Sequence, residues 1–117
     1  MTNYAVELTD AALAAITAQA HYIAVEAQAP LNAERWLGRI WDAVDSLEQF
    51  PQRAAKAEED AYAKYEVRRL VIDSHLLLFT IDDDRRKVWI IGLRHGHRLP
   101  QPGELPADQT SLDDADA

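Results

Sequence analysis

Residues 65–98 have the sequence YEVRRLVIDSHLLLFTIDDDRRKVWIIGLRHGHR. Within them, two short polar segments separate three runs rich in apolar and β-branched residues: Val67–Ile72, Leu76–Ile81 and Val88–Leu93. Such runs, joined by short polar turns, are typical of antiparallel strands. This part of the chain therefore predicts a three-stranded meander around which the rest of the fold is organised.

The middle run predicts a central strand. Leu76–Ile81 does not alternate between apolar and polar residues, which is typical of a strand covered on both faces. Residues 66–72 mix charged and aliphatic residues, as expected of a half-exposed strand. A sheet of three strands with two apolar faces is not stable alone in water, so we expect upstream residues to cover it.

The upstream sequence predicts one strand and two helices. Tyr4–Leu8 alternates as a first strand does, and Thr9 or Asp10 is a suitable N-cap for a helix running to about Gln28. Apolar residues at helical spacing recur from Asn32 to Phe50. Only a few residues separate the end of the first predicted helix from the start of the second, so the two helices are expected to form an antiparallel hairpin. Trp41 lies off the main apolar stripe, and we expect it to be buried against the first helix rather than exposed.

The element order is strand, helix, helix, strand, strand, strand. It predicts an α+β fold in which a helical hairpin packs on one face of a small, mainly antiparallel sheet. Residues 1–102 are expected to form one domain and residues 103–117 an acidic, flexible tail. In residues 52–64 the apolar residues recur at no regular spacing, which predicts a loop in which Glu58, Glu59 and Asp60 are solvated.

Composition excludes several classes of protein. The 117 residues contain no cysteine and no run of about 18 apolar residues, so we expect neither a disulfide framework nor a membrane partner. No signal peptide is recognised, which predicts a cytoplasmic protein. The net charge of −8 is uneven, because five acidic residues and no basic residue follow residue 102. Residues 61–102 hold eight basic and five acidic residues and predict a local cationic patch.

Arg94, His95, His97 and Arg98 form the densest group of cationic side chains, just after the last predicted strand. They could contact an anionic target, or pair with carboxylates of the chain, including its acidic tail. They could also cleave RNA, with His95 or His97 transferring protons and Arg68, Arg94 or Arg98 binding the phosphate. Arg68 and Arg69 point to opposite faces of their strand, and we favour Arg68 as the functional one.

Neither a metal nor a cofactor is predicted. His75 is a third imidazole beside His95 and His97, but no cysteine or carboxylate stands at ligand spacing from them. The sequence has no glycine-rich phosphate loop and no recognisable nucleophile motif.

The sequence resembles the RelE/ParE superfamily of type II toxin–antitoxin toxins over roughly residues 3–98. The resemblance rests on an ordered set of segments and is closer to the ParE side, because of the SLEQFP ending of the second helix and the RRLV strand. The set comprises Tyr4–Leu8, Arg35–Pro51, Val67–Val71, Leu78–Asp82 and Arg94–Arg98.

The resemblance implies a toxin that inhibits DNA gyrase by contact, takes part in plasmid stabilisation and is neutralised by a cognate antitoxin in a hetero-oligomer. For such a toxin we expect target contacts by Arg68, Arg94, His95, His97 and Arg98. An extended antitoxin segment would wrap the hairpin and a sheet edge, with Trp36 and Trp41 as its contacts.

The alternative is a RelE-like endoribonuclease that cleaves messenger RNA on the ribosome without a metal. Its catalytic residues would be Arg68, His95, His97 and Arg98. The sequence departs from that pattern, since Leu76 stands where RelE-like toxins have an arginine and no tyrosine follows Tyr65.

Overall fold

A computed structural model of the chain describes residues 3–109 and residue 112. The predicted order of elements is confirmed. Strand β1 (Ala5–Leu8) precedes helices α1 (Asp10–His21) and α2 (Pro30–Ser46), and strands β2 (Arg68–Ile72), β3 (His75–Asp82) and β4 (Lys87–His95) follow. Short helical turns lie at Pro51–Arg53, Glu58–Ala61 and Pro102–Glu104. No helix within the described residues has the length and apolar character needed to cross a membrane.

The four strands form one mixed sheet in the order β1-β4-β3-β2. Strands β2, β3 and β4 pair antiparallel as the predicted meander, whereas β1 pairs parallel to the first half of β4. The central position predicted for β3 is confirmed, and its residues from Leu77 to Thr80 are buried. The sheet is thus mainly antiparallel with one parallel edge strand.

Local signals fix the helix boundaries. The Thr9 hydroxyl accepts a hydrogen bond of 3.1 Å from the backbone nitrogen of Ala12, which satisfies one of the free donors of the first turn of α1. Helix α1 does not run unchanged to Gln28 as predicted, because Tyr22–Glu26 is a π-helical segment. Pro30 begins α2, where its missing N–H costs no helical hydrogen bond.

One face of the sheet is covered by both helices. Buried residues of α1 and α2 pack there with alternate residues of the strands: Ala12, Ile16, Ala20, Trp36, Ile40, Val44, Ile72, Leu77, Phe79, Val88 and Ile90. The expected burial of Trp41 is wrong. Its side chain is 38% exposed, because it lies off the stripe that faces the sheet and α1 does not cover it.

The second face of the sheet is covered by irregular chain. Leu78, Trp89 and Ile91 form a cluster there with Ala57 and Val67, and Leu105 and Leu112 pack onto it. Leu105 and Leu112, which belong to the predicted tail, therefore lie against the sheet in this structure, and Gln109 donates to the carbonyl oxygen of Ile81. Flexibility of the tail stays a prediction, and residues 110, 111 and 113–117 lie outside the described part of the chain.

A bulge in β4 decides which side chains share a face near its end. Leu78 pairs with Gly92 and Phe79 with Ile90, so that Ile91 is the extra residue. An extra residue inverts the alternation of side chains beyond it. Leu93 and His95 consequently lie on the helix face, while Arg94 lies on the second face.

Candidate functional site

The predicted cationic group lies at the end of β4, in a tight turn of residues 95–98 that we call the β4 turn. The backbone nitrogen of Gly96 donates to the carbonyl oxygen of Ser74 at 2.7 Å, and a Cβ on Gly96 would lie only 3.2 Å from that oxygen. The backbone nitrogen of Arg98 donates to the carbonyl oxygen of His95 at 3.0 Å. These bonds hold the exposed side chains of His95, His97 and Arg98 on an ordered backbone.

Three imidazoles line up beside this turn. The ring centroids of His75 and His95 are 5.1 Å apart, and those of His95 and His97 are 5.3 Å apart. His75 also makes an edge contact with Trp36 at 5.5 Å, so the row runs from the core to the surface. His95 and His97 are exposed, whereas His75 is buried. The pairing of β3 with β4 produces this row, because His75 on β3 lies directly opposite His95 on β4.

The pKa of His75 lies below the ordinary histidine value. Burial is the main cause, since it disfavours the charged ring, and the neighbouring His95 lowers the pKa further while Asp73 raises it. His75 Nδ1 and Trp36 Nε1 are both buried without a hydrogen-bond partner among the described residues. His75 is therefore a neutral ring at physiological pH.

Arg98 is paired with the C-terminal part of the chain. Its guanidinium donates to Glu104 Oε1 at 2.9 Å and to Gln101 Oε1 at 2.8 Å. The arginine and glutamate side chains are 50% and 60% exposed, and ion pairs this exposed contribute at most about 1 kcal/mol. The structural pairing considered from the sequence is thus present at Arg98, but it is weak enough for a partner to displace.

Arg94 does not project from the loop with its neighbours. It lies on the second face of the sheet, where its Nε donates to Glu59 Oε2 at 2.6 Å and its Nη1 donates to the carbonyl oxygen of Arg98 at 2.7 Å. The side chains of Arg94 and Glu59 are 6% and 2% exposed. The expectation that Arg94 is offered to a target together with the β4 turn is therefore corrected. Glu59 was expected to be solvated, and that expectation is also wrong.

Arg68 is likewise engaged inside the fold. Its side chain forms an ion pair with Glu66 and donates to the carbonyl oxygens of Gln52 and Ala54. Arg68 is paired with Phe79 on β3, whereas His95 is paired with His75, four residues further along that strand. At about 3.3 Å per residue, this separation along the sheet is about 13 Å. Arg68 and the β4 turn are therefore not brought together around one phosphate.

The two tryptophans expected to contact an antitoxin differ in exposure. Trp36 is 3% exposed and packs in the core, so it presents almost no surface to a partner in this structure. Trp41 is the more exposed of the two, and its contact with an antitoxin stays a prediction.

The geometry supports binding chemistry more readily than catalysis. His95, His97 and Arg98 offer two exposed imidazoles and one guanidinium on a rigid turn, while Arg68 and Arg94 are held by carboxylates and carbonyls. Within residues 3–109 and 112, no group of three histidine, aspartate or glutamate side chains is placed to hold a metal ion. Sequence reasoning missed Glu59, because its partner Arg94 lies 35 residues away. It considered pairing with the acidic tail but did not identify Gln101 and Glu104 as the partners of Arg98.

Comparisons with known proteins identify relatives at the level of family and fold. A family model described as the ParE toxin of a type II toxin–antitoxin system, parDE, matches residues 6–100. A solved structure titled "Chromosomal ParDE TA system from P. aeruginosa" is similar to this chain with a TM-score of 0.61 and 19% identity. The similarity covers 79% of this chain and 95% of the other. At that identity it shows a shared fold. No curated protein matches the sequence.

Proposed function

Because this chain belongs to the ParE toxin family of type II toxin–antitoxin systems, we propose that it inhibits DNA gyrase by direct contact and that a cognate antitoxin neutralises it. In this proposal the β4 turn contacts the enzyme, and the toxin–antitoxin pair forms a hetero-oligomer. Growth arrest then follows from loss of supercoiling, without a covalent step by the toxin.

The contrast between the exposed side chains of the β4 turn and the engaged arginines Arg68 and Arg94 carries the proposal. His95, His97 and Arg98 are exposed on a turn fixed by hydrogen bonds to Ser74 and His95. A pre-ordered surface group loses little conformational entropy on binding, which favours contact with a protein partner. The other arginines that could stabilise a cleaved phosphate are occupied, Arg94 by Glu59 and Arg68 by Glu66.

Inhibition of supercoiling by purified gyrase tests this function. We expect the wild-type chain to stop supercoiling at a modest molar excess, and the Arg98→Ala variant to require about tenfold more protein, as expected for a lost contact worth about 1.4 kcal/mol. Arg85→Ala is the matched control, because Arg85 is also exposed but lies in the turn at the opposite end of β4. Unchanged supercoiling at high excess of wild-type toxin would reject the proposal.

The second candidate function is ribosome-dependent cleavage of messenger RNA. One observation favours it: the exposed rings of His95 and His97 lie 5.3 Å apart, close enough for one to take a proton while the other gives one. Arg98 would then be the only arginine of the proposed set at the reacting phosphate. Primer extension on translated messages would support this function if discrete cuts vanished in His95→Ala and His97→Ala variants, and uncut messages would exclude it.

A further inference from the structure

The chain continues beyond the region that it shares with its family. The family model matches residues 6–100, whereas the structure also describes residues 101–109, which we call the strap. The second half of the strap is held on the sheet. The Tyr65 hydroxyl donates to the carbonyl oxygen of Pro106 at 2.6 Å, and Gln109 Nε2 donates to a carbonyl oxygen of β3 at 2.9 Å. The strap therefore has its own contacts with the folded domain.

The first half of the strap holds the arginine of the β4 turn. Arg98 Nη2 donates to Gln101 Oε1 at 2.8 Å and to Glu104 Oε1 at 2.9 Å. The short helical turn Pro102–Glu104 brings the two acceptors together, because the backbone nitrogen of Glu104 donates to the carbonyl oxygen of Gln101 at 3.0 Å. Nη2 carries two hydrogens, so these two bonds use both of them.

This arrangement blocks the strongest contact that a guanidinium makes with another molecule. A carboxylate binds arginine through two parallel hydrogen bonds, either from Nε and Nη2 or from Nη1 and Nη2. Arg94 and Glu59 show the first geometry in this structure. Both geometries need a hydrogen of Nη2, and in Arg98 the strap engages both hydrogens. A target carboxylate can therefore bind Arg98 in this way only after Gln101 or Glu104 has moved.

Leu105 keeps Glu104 beside the arginine. The Leu105 side chain packs with the cluster on the second face, and a Cβ placed on Gly92 would lie 3.4 Å from its Cδ2 atom. Leu105 directly follows Glu104 and precedes the tethered Pro106. Because the chain is fixed at this point, the Glu104 carboxylate has a high effective concentration near Arg98. It can return to Arg98 as soon as another partner leaves.

We propose that the strap is an autoinhibitory element, in which Gln101 and Glu104 occupy Arg98 and compete with an acidic segment of the target. The identity of that target, DNA gyrase, rests on the proposed function. The Glu104 carboxylate takes the place that a carboxylate of the target occupies in the complex. Release requires only the first half of the strap to move, because residues from Leu105 onward keep their contacts with the sheet. The pair is exposed and weak, so the strap lowers the affinity without preventing binding.

Binding of purified DNA gyrase by a double variant, Gln101→Ala with Glu104→Ala, tests the competition. We expect it to bind about three- to fivefold more tightly than the wild type, the range expected for one exposed ion pair. When Arg98→Ala is also present, the same two substitutions should change the affinity less than about 1.5-fold, because the group for which they compete is then missing. Unchanged or weaker binding by the double variant would overturn the proposal.

Glu48→Ala is the matched control for the loss of negative charge. Glu48 is exposed like Glu104, but its carbonyl oxygen accepts from the backbone nitrogen of Tyr4, at the opposite end of the sheet from the β4 turn. This variant should bind gyrase like the wild type. Circular dichroism verifies the fold of each variant. An equal gain in Glu48→Ala, or in the Arg98→Ala background, would assign the effect to net charge and contradict the strap.

Growth arrest on graded induction provides a readout that does not depend on the identity of the target. The double variant should arrest growth at about a third of the expression level that the wild type needs, measured by immunoblotting, and Glu48→Ala should match the wild type.

The two measurements separate the two proposals. If the wild type binds gyrase and the double variant binds it no more tightly, the strap inference fails and the gyrase function stands. If neither chain binds gyrase, the gyrase function fails and the expression level at arrest decides the strap. A lower level for the double variant then supports the strap, whereas equal levels, or no arrest by either chain, overturn it.

Discussion

Glu59 and Arg94, which are 35 residues apart in sequence, form a buried ion pair with 2.6 Å between Oε2 and Nε. The pair fastens the helical turn Glu58–Ala61 to the end of β4 on the second face of the sheet. Arg94 also donates from Nη1 to the carbonyl oxygen of Arg98, the last residue of the β4 turn. The ion pair therefore supports the backbone on which the exposed imidazoles and Arg98 are displayed.

Removing one member of this pair should strongly destabilise the fold. Arg94→Met leaves the Glu59 carboxylate buried without its counter-ion, a change that costs about 3–5 kcal/mol of unfolding free energy. The double variant Glu59→Leu with Arg94→Met should regain most of that loss, because no charge is then left buried. Urea denaturation of the single and double variants measures both effects. A loss below about 1 kcal/mol in Arg94→Met would contradict the buried pair.

Acid should destabilise the protein through His75. The pKa of His75 is lowered in the folded state, mainly by burial and then by His95, so the unfolded chain binds the proton more readily. Stability is therefore lost as pH falls from about 6.5 toward the lowered folded value. In His75→Phe, which keeps an aromatic ring beside Trp36, we expect a smaller difference in unfolding free energy between pH 7.5 and pH 5.5. An equal difference in both proteins would show that His75 is not responsible.

Alkaline pH should act through Tyr65, whose hydroxyl donates to the carbonyl oxygen of Pro106 at 2.6 Å. Burial, with a contribution from Asp108, raises the pKa of Tyr65 to about 12. The folded state thus keeps a proton that the unfolded state loses near pH 10, and stability declines as pH rises from about 10 toward 12. Ultraviolet titration of tyrosinate should show a late-ionising tyrosine that is missing in Tyr65→Phe. Identical titration curves for the two proteins would refute this assignment.

Replacing Phe50 with glycine should stabilise the protein. It adopts a left-handed conformation with φ of 45°, which is costly for a bulky residue, and its side chain is 67% exposed. Glycine reaches that conformation without steric cost, so we expect Phe50→Gly to raise the unfolding free energy by about 1 kcal/mol, net of the added flexibility of the unfolded chain. Thermal unfolding checks the sign. A lower midpoint would mean that the phenyl ring makes a stabilising contact.

The sequence predicts those features that depend on neighbouring residues. The uninterrupted apolar run of Leu76–Ile81 indicates a central strand, and the spacing of Trp36, Ile40 and Val44 indicates the buried stripe of α2, and both are confirmed. Apolar periodicity is informative because a helix or strand buries the same face along its whole length, so that its buried residues recur at a regular spacing in the sequence.

Long-range features escaped prediction for a physical reason. The burial of Glu59 depends on Arg94, and the engagement of Arg68 depends on the path of the chain through Gln52 and Ala54. Neither partner is identifiable from local pattern. The bulge at Ile91 also has no clear local signal, yet it decides that His95 shares a face with His75 while Arg94 is buried on the other. Cationic residues that look equivalent in sequence therefore have different environments.

Direct binding of the purified chain to purified DNA gyrase tests the proposed function most closely. We expect saturable binding with a dissociation constant of about 1 μM or lower, weakened at least about tenfold in a variant that combines His97→Ala with Arg98→Ala. The Arg85→Ala control should bind like the wild type. Absence of binding by the wild type, or equal binding by the wild type and the double variant, would contradict a gyrase contact through the β4 turn.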